Sequence, residues 1–263
     1  MSLAGENRDE GPSFFEWDRK QPGEALDGPV TVFTDMCLDE VLLSKSPTNV
    51  AILIEPPAFS TTHYEKAARL EGRFDAIFTY DAERLTRGAP WLFYPFGGSW
   101  IREWHVFEKL RLVSLIVSPK QVTEGHRLRH EIARQLAPFV EVWGALEDSQ
   151  PRFEPKHKAL RHYRYSIVVE SERADYWITE KLIDCLSQGT VPIYWGCPGI
   201  GDFFNVGGII PFETLGELTA ILGSISEQGY LRRMPAIERN LELAREFRCA
   251  EDWIWKHYPD LFA

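Results

Sequence analysis

The stretch "YRYSIVVESERADYWITEKLIDCLSQGTVPIYWG", residues 163–196, decides the fold. A β-branched run (Tyr165 to Ser171) gives way to a polar loop. A helical pattern follows (Ile178 to Ser187), then a second apolar run (Thr190 to Gly196) that closes on glycine. Two short, largely apolar strands around one helix make a β-α-β unit with buried parallel strands. At the front of its helix stand two adjacent charges, Glu180 and Lys181. Neighbouring positions on a helix do not face one another, so a mutual salt bridge explains them poorly. A surface pair would contribute at most ~1 kcal/mol. The alternative is an anionic ligand. Thr179 is placed to cap the turn, and first-turn N–H groups with the Lys181 ammonium suit a diphosphate. Glu180 suits sugar hydroxyls, each charge-assisted bond being worth about 1.5–3 kcal/mol.

The same grammar runs outward in both directions. Before it lie apolar runs at 29–34, 49–55, 74–80 and 91–96, with helical patterns at Cys37 to Lys45 and Tyr64 to Leu70. A second series starts at 111–118. It continues with a helix at His126 to Leu136, a strand at 139–144, a helix near Lys156 to His162, and the quoted unit. A strand at 208–212 and a helix from Leu215 follow, and Gly229 to Tyr258 reads as helix with Leu, Ile and Trp on one face. The expectation is an α/β protein of two Rossmann-like domains facing a cleft. A polar leader at 1–28 precedes an N-terminal domain at 29–108 and a C-terminal domain at 109–263. Phe14, Phe15 and Trp17 of the leader are expected to dock on the body. Ligands of open parallel sheets bind outside the carboxyl ends of the strands, so the cleft is the expected site.

The 263 residues carry 29 Lys and Arg against 39 Asp and Glu, a net charge of −10. That balance argues against nucleic acid as the partner, since a duplex binder needs a basic face. It leaves room for a locally positive site for a small anion. The four cysteines show no C-x-x-C spacing and read as reduced thiols. No apolar run approaches the ~20 residues that span a bilayer, and no secretory signal opens the sequence. The expected compartment is the cytoplasm, with peripheral work at a membrane still compatible.

Three further stretches place polar groups after strands. Glu55 follows "AILI" and precedes two prolines; it reads either as a strand-end carboxylate reaching water or as a general base raised by partial burial. Gly125 leads into a helix bearing Arg127, Arg129 and Arg134, a helix start suited to anions. His126 and His130 have i, i+4 spacing, but H-E-x-x-H and a third ligand are missing, so a metal site is not expected. "YPFGGSW" (94–100) reads as a tight turn. P-loop, nucleophile-elbow and D-x-D motifs do not occur, which disfavours a P-loop NTPase, an α/β-hydrolase and a metal-dependent single-Rossmann glycosyltransferase.

Residues 163–205 resemble the signature of glycosyltransferase family 10, the α-1,3/4-fucosyltransferases. That signature is an aromatic-rich strand, F-E-N-S, Y-V-T-E-K, a helix and G-T-I/V-P-I-Y-W-G. Here the corresponding residues are Val169-Glu170-Ser171-Glu172 and Trp177-Ile178-Thr179-Glu180-Lys181, so Ser171 stands where the family has Asn and Trp177 where it has Tyr. "RHEIARQL" (129–136) is similar to the family's Arg-bearing helix, and Glu55 to its strand-end Glu. The resemblance implies a GT-B-type architecture, GDP-fucose as donor substrate, a glycan acceptor, inversion at the sugar carbon and no obligatory metal or other cofactor. It implies that Arg129 and Lys181 neutralise the leaving diphosphate and that Glu180 holds ribose or fucose hydroxyls. Trp177, Glu170, Ser171 and Thr179 would line the donor site, and Glu55 would take the acceptor's proton. Two other readings stay open: a transferase for another nucleotide sugar, and a relative that binds sugar nucleotide without turnover.

Overall fold

A computed structural model describes residues 24–147 and 155–262. The chain gathers into two units, Met1–Phe96 with Cys249–Ala263, and Gly97–Arg248. The docking expected of Phe14, Phe15 and Trp17 lies outside the described residues.

In the first unit β1 (Val30–Thr34), β2 (Thr48–Ile52), β3 (Ala76–Thr79) and β4 (Trp91–Phe93) pair in parallel in chain order. Helix α1 (Thr61–Arg69) joins β2 to β3, and the single turn α2 (Ala82–Leu85) joins β3 to β4. Phe33, Leu38, Leu53, Tyr64, Ile77 and Trp91 form the core. The helix expected at Cys37 to Lys45 is a 3-10 helix at Asp35–Leu43. Its buried residues, Asp35, Leu38 and Val41, are spaced by three. That is the repeat at which side chains eclipse in the tighter helix.

The second unit runs β5 (Arg111–Val117), α3 (Glu124–Gln135), β6 (Glu141–Gly144), β7 (Tyr163–Val169), α4 (Glu180–Ser187), β8 (Val191–Trp195) and β9 (Ile210–Pro211). Then come α5 (Leu215–Ser224), α6 (Glu227–Leu231) and α7 (Met234–Ala244). The sheet order is β6-β5-β7-β8-β9, all parallel. Leu115, Ile132, Ile167, Val169, Ile193 and Leu218 lie in its core. The chain leaves β5 toward one edge and returns on the other side as β7. This reversal is the switch point at which open parallel sheets bind ligands. Helix α3 follows β5, and Glu170 follows β7. The helix expected near 156–162 shortens to a 3-10 turn at Lys156–Ala159.

The division between units differs from the one expected at 108/109. Residues 97–108 pack with α4: the Asp184 carboxylate accepts hydrogen bonds from Ser99 Oγ (2.7 Å) and Trp100 N–H (2.8 Å). His105 N–H donates to the Ser187 carbonyl at 3.0 Å. At the other end α8 (Ala250–His257) leaves the second unit for the first. Trp253 meets Phe93 edge-on at 5.8 Å, and Tyr258 donates its hydroxyl to the Phe93 carbonyl at 2.8 Å. The apolar face read from the tail therefore belongs to two cores. No helix among the described residues is long and apolar enough to cross a membrane.

Candidate functional site

Glu170 follows β7 with no exposed surface. One carboxylate oxygen accepts from the Thr179 N–H at 3.1 Å and the other from the Thr179 hydroxyl at 2.5 Å. Thr179 is the N-cap of α4, its Oγ1 accepting from the Lys181 N–H at 3.3 Å. The Lys181 ammonium returns to the same oxygen at 3.0 Å and lies 3.5 Å from Glu170 Oε2. Burial pushes the Glu170 carboxyl above its usual range, with Lys181 and the Thr179 bonds opposing. No side chain fits at Gly196: a Cβ there would meet the Tyr194 hydroxyl at 2.3 Å and Glu170 Cγ at 2.7 Å. The glycine that closes the second strand thus makes room for the acid that closes the first.

Adjacent Glu180 and Lys181 do meet, contrary to the expectation from helix geometry. Lys181 Nζ lies 3.4 Å from Glu180 Oε1. The long lysine chain at the first turn curls back over the cap, where the three acceptors converge. Lys156 approaches from the other side, 3.3 Å from Glu180 Oε1 and 3.3 Å from Asp184 Oδ2. Its ammonium stands 4.1 Å from the centroid of the exposed Trp100 ring, a cation–π distance. Burial alone would raise the Glu180 carboxyl, but Lys181 and Lys156 outweigh it and hold the group well below the usual carboxylate range. Glu180 is therefore an anion ready to accept. The sequence reading missed Lys156 and Asp184. A signal existed, since Glu180 and Asp184 share an i, i+4 helix face where like charges repel unless a cation joins them.

The first turn of α4 is less open to an anion than the sequence suggested. The Thr179 N–H goes to Glu170, the Lys181 N–H to the cap and the Leu182 N–H to the Thr179 carbonyl. The buried Glu170 already takes the role foreseen for a phosphate. Gly125 departs from expectation too. It lies inside α3, whose N-cap is Thr123 in a capping box with His126. Its N–H donates to the Ser171 carbonyl at 3.2 Å. The glycine serves close packing of helix on strand end, not a phosphate turn.

Arg129, one turn further along α3, is buried, with 7% of its surface exposed. Its Nε donates to the Gly125 carbonyl at 3.3 Å, while Nη2 is buried with no hydrogen-bond partner among the described residues. Burial lowers its affinity for the proton, and the charges of Glu170 and Glu180 restore part of it. His126 Nδ1 lies 2.6 Å from Thr123 Oγ1. Burial, then the charges of Arg129 and Lys181, push the His126 ring down to about 4. The charges of Arg129 and Lys181 thus both bear on that imidazole. His130 turns Nε2 to the Ser118 carbonyl at 2.8 Å. Among the described residues no group of three or more His, Cys, Asp or Glu is placed to hold a metal ion.

The structure therefore gathers Arg129, Glu170, Thr179, Glu180 and Lys181 at the switch point of one sheet. Ser171 contributes its carbonyl to Gly125. Trp177 is buried, with 3% of its surface exposed, and its carbonyl accepts from the Tyr194 hydroxyl at 3.5 Å. Glu55 belongs to the first unit, three residues beyond the end of β2, and is exposed, which fits the strand-end carboxylate reaching water and not the partly buried one.

Residues 106–206 match the model of glycosyltransferase family 10 (fucosyltransferase), C-terminal part. The resemblance read at 163–205 falls inside that match. An α-(1,4)-fucosyltransferase of Arabidopsis thaliana is 27% identical over 77 residues, which are 29% of this chain and 19% of that protein. The α-(1,3)-fucosyltransferase FucT of Helicobacter pylori is 36% identical over 50 residues, 19% of this chain and 10% of that protein. The matched stretches thus span less than a fifth of those relatives. The crystal structure of an α1,3-fucosyltransferase with GDP superposes with a TM-score of 0.55 at 14% identity, over 88% of this chain and 80% of that one. TarM superposes with a TM-score of 0.56 at 12% identity, over 89% and 54%. The fold is the GT-B-type α/β fold.

Proposed function

We propose that this chain is an inverting fucosyltransferase that moves L-fucose from GDP-fucose to a hydroxyl of a glycan acceptor, of the α-1,3/4 type. One observation carries the reading. Arg129 Nη2 is a buried guanidinium nitrogen without a hydrogen-bond partner among the described residues, and Lys181 stands close enough that both charges bear on His126. A buried donor left unpaired costs about 1–3 kcal/mol, and a phosphate oxygen supplies the missing bond. The family match over 106–206 and the named fucosyltransferases support GDP-fucose as the source of that phosphate.

The chemistry follows from charge. As the sugar carbon parts from the diphosphate, negative charge grows on the departing oxygen. Arg129 and Lys181, fixed before the reaction, stabilise that charge without reorganising, and a comparable preorganised donor is worth about 3–4 kcal/mol of barrier. Glu180, held ionised by Lys156 and Lys181, accepts hydroxyls of the ribose or fucose. In this reading the two side-chain cations do the neutralising, with no divalent ion required. The resemblance assigns the acceptor's proton to Glu55.

Titration calorimetry tests the donor side. GDP is expected to bind in preference to UDP, and Arg129→Met or Lys181→Met to weaken it about tenfold or more, at about 1.4 kcal/mol per tenfold. Preference for UDP, or no nucleotide affinity in a folded chain, overturns the reading.

A further inference from the structure

The glycine turn that opens the second unit holds an exposed tryptophan close to Glu180. Gly98 has a φ of 96°, in the left-handed region that glycine enters freely. Its N–H donates to the Phe247 carbonyl at 2.6 Å, and a Cβ on Gly97 would lie 2.9 Å from that same oxygen. Just beyond, Ser99 Oγ and the Trp100 N–H both donate to the buried Asp184 carboxylate, at 2.7 Å and 2.8 Å. Ser99 Oγ also accepts from the Ile101 N–H at 3.1 Å. The backbone under Trp100 is therefore tied to Phe247 on one side and to α4 on the other.

The side chain of Trp100 is 65% exposed. The Lys156 ammonium stands 4.1 Å from its ring centroid, and the same ammonium lies 3.3 Å from Glu180 Oε1 and 3.3 Å from Asp184 Oδ2. One group thus touches both the ring and the carboxylate suited to sugar hydroxyls. Trp100, Arg129, Lys156, Glu180 and Lys181 all belong to the second unit, so the arrangement is internal to it. A large aromatic left open to water forgoes the burial that ordinarily stabilises it. A ring held in place is ready for a flat ligand, since stacking on it orders little more. Lys156 repels a second cation from that ring and draws its π density inward. A neutral, electron-rich aromatic such as a purine suits the remaining surface.

We propose that Trp100 is the stacking platform for the guanine base of the donor nucleotide, and that Glu180 binds the hydroxyls of its ribose and not those of the fucose. The assignment rests on the transferase reading above and deepens it. In a nucleoside the base and the 2′- and 3′-hydroxyls share one furanose ring. A ribose bonded to Glu180 therefore keeps its base close by, and the exposed ring beside that carboxylate is Trp100. The diphosphate leaves the same ribose toward Lys181, whose Nζ lies 3.4 Å from Glu180 Oε1. The run of contacts from Trp100 through Lys156 and Glu180 to Lys181 repeats the order of base, ribose and diphosphate. Stacking reads the face of a base and not its edges, so the platform favours a purine over a smaller pyrimidine by contact area.

Titration calorimetry on the whole chain, with GDP, UDP and inorganic pyrophosphate, tests this. Trp100→Ala is expected to weaken GDP about tenfold or more, to leave pyrophosphate within about twofold, and to narrow the preference for GDP over UDP. Trp100→Phe keeps a face to stack on and is expected to recover most of the affinity. Trp100→Leu covers Lys156 without such a face and is expected to recover little. Replacing GDP by its 2′,3′-dideoxy analogue is expected to cost about tenfold in the wild type and nothing further in Glu180→Gln. Equal losses of GDP and pyrophosphate in Trp100→Ala overturn the platform, since the ring would then act only by seating Lys156. Unchanged GDP affinity in Trp100→Ala overturns it too, while a loss in Arg129→Met still supports the donor site. A dideoxy analogue that binds the wild type as GDP does overturns the ribose assignment. A folded wild-type chain with affinity for neither GDP nor pyrophosphate overturns this proposal and the donor reading together.

Discussion

A methyl group on Gly125 would lie 1.8 Å from the carbonyl oxygen of Glu170. The N-terminus of α3 is thus pressed against the end of β7, and Arg129 is delivered to the site by that contact. Gly125→Ala is expected to push the helix off the strand, at about 1–3 kcal/mol for an overpacked site. The melting temperature falls, and GDP affinity falls with it because Arg129 moves. A variant that melts and binds as the wild type would show that the helix yields freely.

Thr179 serves three partners through one hydroxyl: Glu170, the Lys181 N–H and the Lys181 ammonium. Thr179→Val keeps the shape and removes all three. The cap alone is worth about 1 kcal/mol, and leaving a buried carboxylate short of a donor adds about 1–3 kcal/mol. Chemical denaturation should show the loss, and Thr179→Ser should recover most of it.

Lys156 holds two buried or half-buried carboxylates. Lys156→Met leaves Glu180 and Asp184 facing each other without it, and breaking such a pair costs about 3–5 kcal/mol. Asp184→Asn in the same chain removes one of the stranded charges. The double variant is expected to be more stable than the two single losses summed, a coupling that a double-mutant cycle reads directly. Additive losses would mean that Lys156 acts only through packing on Trp100.

His126 gives the site a pH signature. Its ring is pushed down to about 4 in the folded chain, from an ordinary value of 6.5. Between those values the unfolded chain takes up a proton that the folded chain refuses, so stability rises with pH. The contribution is fully present above pH 6.5 and is lost as pH falls through about 4. The full shift corresponds to at most about 3 kcal/mol. Melting curves of wild type and His126→Gln should diverge across that window, with the wild type the steeper. Parallel curves would remove His126 from the account.

Much of this was legible in the sequence because the buried parallel strands write themselves as short β-branched runs. The unit from β7 through α4 to β8 carries cap, acid and lysine in consecutive positions at 179–181, one short loop after Glu170, so Glu170, Thr179, Glu180 and Lys181 could be read off together. Arg129 was legible only through resemblance, since several arginines share its helix and burial alone separates them. Lys156 was hidden because it arrives from a distant turn and its partners are set by tertiary packing. Asp35 was hidden too: an aspartate at a strand end looks solvated, and only the returning amides of Ile54 and Glu55 turn it inward. The role of Gly125 was misread because a helix-opening glycine and a close-packing glycine are written with the same letter.

The tail that completes the first sheet's core is synthesised after the whole of the second unit. Trp253 and Tyr258 close over Phe93 and Phe78 from residues separated by more than 150 positions in the sequence. Pairings so remote are slow to find. On the ribosome the Gly97–Arg248 segment can therefore mature while the earlier strands still wait with an uncovered aromatic face. The order of emergence and the order of completion run in opposite directions, and the strands made first are the ones that depend longest on protection from aggregation.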